Sequence, residues 1–337
     1  MKVTNDELKR LEFKKNIYIL VCLFAVSLCS ILYYGIRVLS LMLVSVAVSV
    51  ISSWISNKLR GKIIDLSDIS PVVSGAMFAC LLPPSASYWT VLFGALFSQI
   101  VILFPFGGKD NCHINETAAA FCFCAISWSG RIFRYPLPFS TPALFGEIDV
   151  ATLTTSPGAT LKLGGKPIYS IWEMILGAVP GAIGTTSIIV LLASLLFLYT
   201  RKNGGTKMSV ITILSFFIFS LPFNRTNELF LVSSLYELFS GALIFAAVFL
   251  VPQSEKHFET ETGKVLFSMS VGIFSVLFRI AGGFEEPVCF SLLLCSLIIP
   301  FFDRLAPYAE RLCAVIINFV LNLIKKTKGV KKVEKAN

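Results

Sequence analysis

Few side chains in this sequence could do chemistry, and they are scattered. The run Thr154-Thr155-Ser156-Pro157-Gly158-Ala159-Thr160-Leu161 combines hydroxyls with small residues. Gly158 and Ala159 would let a bulky group approach the backbone closely. The Thr160 hydroxyl at the end of the run offers a point of covalent attachment. The same residue types also make ordinary turns. Asn111 and Asn115 place two amides in one short loop, where they could hydrogen-bond a ligand. They also flank a helix start, and Asn is a good N-cap, so both readings stand. His113 in that loop, one of two His in the chain, reads as a surface residue. There are nine Cys. Cys122 and Cys124 point about 200° apart on a helix, which suits no shared ligand, and no CxxC occurs. The cysteines read as small apolar core residues, with no disulfide framework and no convincing iron–sulfur motif. Glu237, Arg279, Glu285 and Glu286 lie near the ends of apolar segments. Arg279 with Glu285 or Glu286 is expected as an interfacial ion pair. No buried carboxylate cluster stands out to mark an ion path.

The elements that position these residues follow from composition. Hydrophobic residues make up 55% of the 337 and charged residues only 15%, whereas a soluble domain carries about 25% charged. Several apolar runs exceed the roughly 18 residues that a membrane span needs. The fold class is therefore all-α: a polytopic transmembrane bundle of about ten helices with one long extracytoplasmic loop. Met1 to Lys15 is polar. The run Asn16 to Tyr34 ends without a small-residue cleavage site, so it reads as the first span rather than a signal peptide. Helices are predicted over 17–36, 38–56, 70–83, 87–105, 115–129, 183–200, 208–223, 233–252, 265–281 and 284–302. Residues 130–182 contain Pro136, Pro138, Pro142, Pro157, Pro167 and Pro180 and are too polar to span. They form a loop, with a short surface helix near Ile171 to Val179. Loops this long are usually functional. The organisation is an N-terminal membrane half (1–130), the loop (131–182), a C-terminal membrane half (183–304) and a basic tail (305–337).

Basic residues set the topology. An even number of helices puts both termini on one side. If that side is the cytoplasm, the inner segments hold 22 of the 29 Lys and Arg. Arg37, Arg131, Arg134, Lys162, Lys166, Arg225 and Arg279 are left outside. This bias puts both termini in the cytoplasm and the long loop outside. The net charge of +9 does not imply nucleic acid, because the excess lies in loops and in the tail Lys325 to Lys335, where anionic lipid accounts for it. Tyr308 to Lys326 is amphipathic and suits the inner membrane surface.

Seven short motifs, in order from Asp65 to Arg304, give a family resemblance. They are Asp65-Leu66-Ser67-Asp68-Ile69-Ser70 with Val73-Ser74-Gly75-Ala76-Met77; Leu81-Leu82-Pro83-Pro84-Ser85-Ala86 with Trp89; and Phe106-Gly107-Gly108 through Asn111 and Asn115. Next come Gly158-Ala159-Thr160-Leu161 and Pro180-Gly181-Ala182-Ile183-Gly184-Thr185-Thr186-Ser187. The last are Leu238-Phe239-Ser240-Gly241 with Arg279-Ile280-Ala281-Gly282-Gly283-Phe284, and the close Pro300-Phe301-Phe302-Asp303-Arg304. Together they resemble the RnfD/NqrB family, membrane subunits of ion-pumping electron-transport complexes. The short N-terminal stretch before the first helix is more like the RnfD branch.

The resemblance implies FMN joined through its phosphate to the Thr160 hydroxyl, with Ser156, Gly158 and Ala159 shaping the site. A separate flavin transferase would attach it on the outer face. It also implies a second flavin, riboflavin, near Asn111 and Asn115. The partners implied are the Rnf subunits A, B, C, E and G, in a bacterial inner membrane. The role would be to relay electrons from ferredoxin toward NAD, coupled to Na⁺ or H⁺ export, with no catalysis by this chain alone. Three departures stand out. Family sites carry an acid about six positions before the acceptor, where this chain has Thr154. Pro157 interrupts the usual Ser-Gly-Ala-Thr. The paired Asn are spaced by four rather than three, with Glu116 where the family has Pro. Gly- and Pro-broken helices are also what secondary transporters show, so a transporter or a flavin-less structural subunit is the rival reading. Val73-Ser74-Gly75 and Phe239-Ser240-Gly241 hint at an internal duplication.

Overall fold

The computed structural model describes residues 5–61, 68–282 apart from Asp110, Glu147, Asn224 and Asn227, and 285–311 with Ala314. The Asp65–Ser67 motif, Gly283-Phe284, Cys313 and the tail beyond 314 lie outside the described residues, as does most of the amphipathic stretch 308–326. The described chain is helical. Its one piece of β pairing is an isolated antiparallel bridge between Tyr135 and Thr154.

The helices are α1 (Asn5–Tyr34), α2 (Arg37–Leu59), α3 (Ser70–Leu81), α4 (Tyr88–Leu103), α5 (Glu116–Ser127), α6 (Pro157–Lys162), α7 (Ile171–Leu176), α8 (Ile188–Thr200), α9 (Thr206–Ser220), α10 (Phe230–Phe239), α11 (Leu243–His257), α12 (Glu261–Ile280), α13 (Pro287–Leu297) and α14 (Ile299–Arg311). Among the described residues α1, α2 and α12 are long and apolar enough to cross a bilayer. The α10–α11 pair is bent by 68° and the α13–α14 pair by 77°, and each qualifies as a broken span. Five shorter apolar helices, α3, α4, α5, α8 and α9, fill the other predicted segments. Large apolar side chains face outward along α1, α2, α8 and α9, such as Phe24, Leu32, Leu43, Trp54, Leu196 and Ile218. A surface so apolar belongs in lipid.

Small residues bring the helices together, as expected where lipid removes any hydrophobic drive between them. Buried Ser45, Ser49, Ser52 and Ser56 recur every three or four positions on α2, and Ser45 Oγ donates to the Gly75 carbonyl of α3 at 2.7 Å. A Cβ on Gly75 of α3 would stand 2.9 Å from both Ser49 Oγ and Val46 Cα. Gly272 on α12 sits equally close to Thr212 of α9. The predicted eighth helix breaks at Ser240-Gly241, and the predicted tenth at Ile298. Gly241 takes φ 79° between α10 and α11, a conformation that favours glycine. Gly75 lies inside a helix and Gly241 at a break, so the two suggested duplication motifs sit in unlike backbones. The predicted sixth helix begins late, at Ile188, after a 3₁₀ turn at Ile183–Thr185. The predicted tenth begins at Pro287, which supplies the favoured first-turn proline.

Candidate functional site

The run around Thr160 is a capped helical turn rather than an open loop. Ser156 is the N-cap of α6, and its Oγ accepts a hydrogen bond from Ala159 N at 3.3 Å. Pro157 occupies the first helical position, where its missing N–H costs nothing. The proline that departs from the family motif is thus the residue that starts the helix. Leu161 is fully buried in a small core with Met174 of α7, Val179 and Tyr236 of α10. Thr160, its neighbour, is half-buried. Its carbonyl accepts from Leu163 N and Gly165 N, each at 3.1 Å. Its hydroxyl has no hydrogen-bond partner among the described residues.

The loop is fastened on several sides. The Tyr135–Thr154 bridge closes with two hydrogen bonds of 2.9 Å. Tyr33 and Tyr34 of α1 donate to the carbonyls of Leu176 and Val179 at 3.0 and 3.1 Å. The predicted surface helix at 171–179 is α7. Ser170 and Glu173 cap its start, and it ends at Gly177, φ 96°. A Cβ at Gly177 would overlap the Thr186 carbonyl oxygen.

Beneath α6 lies a cluster of charge that sequence reading paired differently. Arg279 does not pair with Glu285 or Glu286. Its Nη1 donates to the Glu237 carboxylate at 3.1 Å and to the Glu237 carbonyl at 2.5 Å, and Nη2 donates to the Ser240 carbonyl at 3.1 Å. Arg225 approaches the same carboxylate at 3.7 Å. Burial explains the pairing: Glu237 and Arg279 are 4% and 3% exposed, and a buried charge must be matched. Arg279 so satisfies carbonyls at the C-terminal end of α10. Glu286 accepts from Ala242 N at 2.6 Å, at the start of α11. Each charge complements the helix end it meets. Ser156 Oγ donates to the Glu285 carboxylate. Glu285 lies between α12 and α13, and burial pushes its carboxyl up to about 7 against the opposing Ser156 hydrogen bond.

Asn111 and Asn115 stand at the other end of α5 from this cluster. Asn115 is the N-cap of α5, its Oδ1 accepting from Ala118 N at 2.9 Å. Its Nδ2 donates to the Leu250 carbonyl at 3.2 Å and to Gln253 Oε1 at 3.3 Å. Asn111 is exposed in the preceding turn. His113 is exposed and stacks edge-on against His257 at 4.8 Å. A cavity of about 150 Å³ opens nearby, with Gln253, Phe249, Asn203 and Lys15 in its wall. The structure brings Ser156, Gly158, Ala159 and Thr160 together and does not bring the asparagines to them. All eight described cysteines are free. No group of three or more His, Cys, Asp or Glu among the described residues could hold a metal.

One residue escaped sequence reading altogether. Arg37, counted as an outer loop cation, is 1% exposed. Its guanidinium donates to the carbonyls of Pro84 at 3.0 Å, Ala86 at 3.1 Å, Ala143 at 2.5 Å and Gly146 at 3.2 Å. It ties the Pro83-Pro84 turn to the long loop. Only its place next to a span, within reach of proline-rich carbonyls, could have signalled this.

Fold and site together define a multi-pass helical membrane protein that presents a capped hydroxyl turn over a broken helix. Its sequence matches the NQR2, RnfD, RnfE family over residues 9–310, and the chain belongs to that family. It is 25% identical over 283 residues to the D subunit of a proton-translocating ferredoxin:NAD(+) oxidoreductase complex from Clostridium ljungdahlii, covering 80% of this chain and 83% of that one. It is 27% identical over 274 residues to the D subunit of the Na(+)-translocating complex of Acetobacterium woodii, covering 80% and 81%. The B subunit of a Na(+)-translocating NADH-quinone reductase from Chromohalobacter salexigens is 26% identical over 242 residues, covering 69% and 57%.

Proposed function

We propose that this chain is the D subunit of an Rnf-type ion-translocating ferredoxin:NAD oxidoreductase, and that it carries FMN on Thr160. One observation carries the flavin reading: the Thr160 hydroxyl is half-buried, without a partner among the described residues, on a turn held at both ends. Bound there, FMN would accept one or two electrons and so connect donors of either kind. The chain's own part is positional. Ser156 starts the turn, Leu161 anchors it, and Gly158 lets it lie against Ser240. The charge bias supports both termini in the cytoplasm of the bacterial inner membrane and the Thr160 turn outside, within reach of a flavin transferase. Subunits A, B, C, E and G would complete the electron path, because this sequence has no nicotinamide fingerprint. Riboflavin near Asn111 would have to share Asn115 with the α5 cap.

The test is coexpression with the flavin transferase, a denaturing gel read for yellow-green fluorescence, and mass spectrometry of the Thr160 peptide. Wild type should fluoresce and Thr160→Val should not. A dark wild-type band with unmodified Thr160 removes the redox role. The break at Gly241 also favours a transporter reading. Substrate uptake by the isolated chain in liposomes, without any electron donor, would select it.

A further inference from the structure

We propose that Glu285 is the positioning residue of the Thr160 turn, acting through the Ser156 cap, and that its ionised carboxylate holds the turn in the form that takes up flavin. The attachment half of this rests on the proposed function, whereas the hold on the turn does not.

The turn has no acid of its own. No Asp or Glu occurs from Val150 to Trp172. The carboxylate that meets it comes from position 285, between α12 and α13. Glu285 accepts a hydrogen bond from Ser156 Oγ, and the same Oγ accepts from Ala159 N. The Ser156 hydroxyl is thereby used twice. Donation to a carboxylate polarises the oxygen that caps α6 and fixes the direction of its lone pairs. Ser156 is buried, so water does not stand in for the carboxylate.

Packing ties Glu285 to the rest of the turn. A Cβ on Gly158 would stand 3.5 Å from Glu285 Cγ and 3.0 Å from Ser240 Oγ. The floor of α6 therefore lies close against the Glu285 stem and the break between α10 and α11. Lys162, at the other end of this six-residue helix, is within electrostatic reach of the same carboxylate. Ser156 and Lys162 bracket Thr160, so one side chain acts on both ends of the turn. Misplacing a reacting group by about 1 Å can cost roughly 100-fold in rate.

Glu285 faces charge from each neighbouring element. Lys162 of α6 and Arg279 of α12 favour its ionised form, and Glu286 opposes it. Arg279 is itself committed to Glu237 and Ser240. Tyr135, buried near both glutamates, belongs to the bridge that holds Thr154. Burial outweighs the two cations and lifts the carboxyl to about 7. A neutral Glu285 either donates to the capping oxygen or accepts from it more weakly, and the cap loosens. Ionising a buried acid costs the whole fold, which loses stability as pH rises through this value. The turn gains order over the same range, so the two responses run in opposite directions.

The experiment uses the full chain in detergent as wild type, Glu285→Gln, Glu285→Asp, Ser156→Ala and the double variant of Glu285→Gln with Ser156→Ala. Hydrogen exchange of the peptide 157–165, corrected for intrinsic rates, reads the turn without flavin. Attachment is measured with purified flavin transferase and FAD. In that assay the Thr160 oxygen bonds to the FMN phosphorus, the diphosphate bond breaks, AMP leaves and the hydroxyl proton is released. At about pH 8, wild type should be modified roughly tenfold or more faster than Glu285→Gln, and the ratio should approach one at about pH 6. Glu285→Asp should recover part of the rate. Ser156→Ala and the double variant should be equally slow, because Glu285 acts through Ser156. If Glu285→Gln fails to fold, the wild-type pH profile decides: turn protection should rise while the unfolding temperature falls. The proposal is overturned if Glu285→Gln keeps wild-type turn protection at the higher pH, if the Ser156 and Glu285 losses add, or if turn protection falls together with the unfolding temperature. A dark wild type with Glu285-dependent protection sinks only the flavin reading. A fluorescent wild type matched by Glu285→Gln in rate and protection sinks only this one.

Discussion

Arg279 meets the Glu237 carboxylate at 3.1 Å, forty-two positions away in sequence, and both are buried. The pair sits where α10 stops, and the same guanidinium serves two of its carbonyls. Removing the cation strands a buried carboxylate and helix-end carbonyls together. Arg279→Ala should destabilise the protein by about 3–5 kcal/mol. Arg225→Ala, at 3.7 Å and partly exposed, should cost about 1 kcal/mol or less. Thermal unfolding in detergent measures both. Equal effects would mean that Arg279 is not the principal partner.

Arg37 offers a test of fork geometry. A lysine keeps the charge but cannot reach four carbonyls in two stretches at once. Arg37→Lys should loosen the loop at 143–146 while the bundle stays folded. Hydrogen exchange at that loop should rise. Unchanged protection would show that the guanidinium contacts do not hold it.

Asn115 separates capping from bridging. Asn115→Ser keeps a cap acceptor and loses the amide donor to Leu250 and Gln253. Asn115→Ala loses both and should cost about 1 kcal/mol more, the usual worth of a cap. The readout is the difference between the two unfolding midpoints. Identical midpoints would assign the role of Asn115 to the α11 contact alone.

Gly177→Ala should be among the least tolerated single changes. The backbone there is left-handed, and the new methyl would overlap the Thr186 carbonyl. Loss of folded protein on size-exclusion chromatography is expected. A well-folded alanine variant would mean that the loop can shift relative to the start of α8.

Hydrophobic runs made most of the bundle legible, because lipid demands long apolar segments whatever their neighbours. The loop and its small helix were legible too: prolines and polar residues rule out a span, and Ser170 with Glu173 is a local signal. The breaks were harder to see. Ser240-Gly241 lies inside an apolar run, and the carboxylate that meets the backbone just after it comes from position 286. The same holds for the Ser156–Glu285 contact, which joins residues 129 positions apart. Charge pairing failed for one physical reason. Sequence proximity favoured Glu285 and Glu286 for Arg279, whereas helix packing brought it Glu237.

The Tyr135–Thr154 bridge pinches residues 136–153 into a lasso whose neck is two peptide groups wide. The Thr160 hydroxyl therefore hangs from the end of α5 by a short effective tether, whatever the noose contains. Lengthening the noose would add little closure entropy and would leave the anchorage of α6 where it is. Relatives could then differ freely in the size of this excursion, and an affinity peptide could be grafted into it, without moving the hydroxyl.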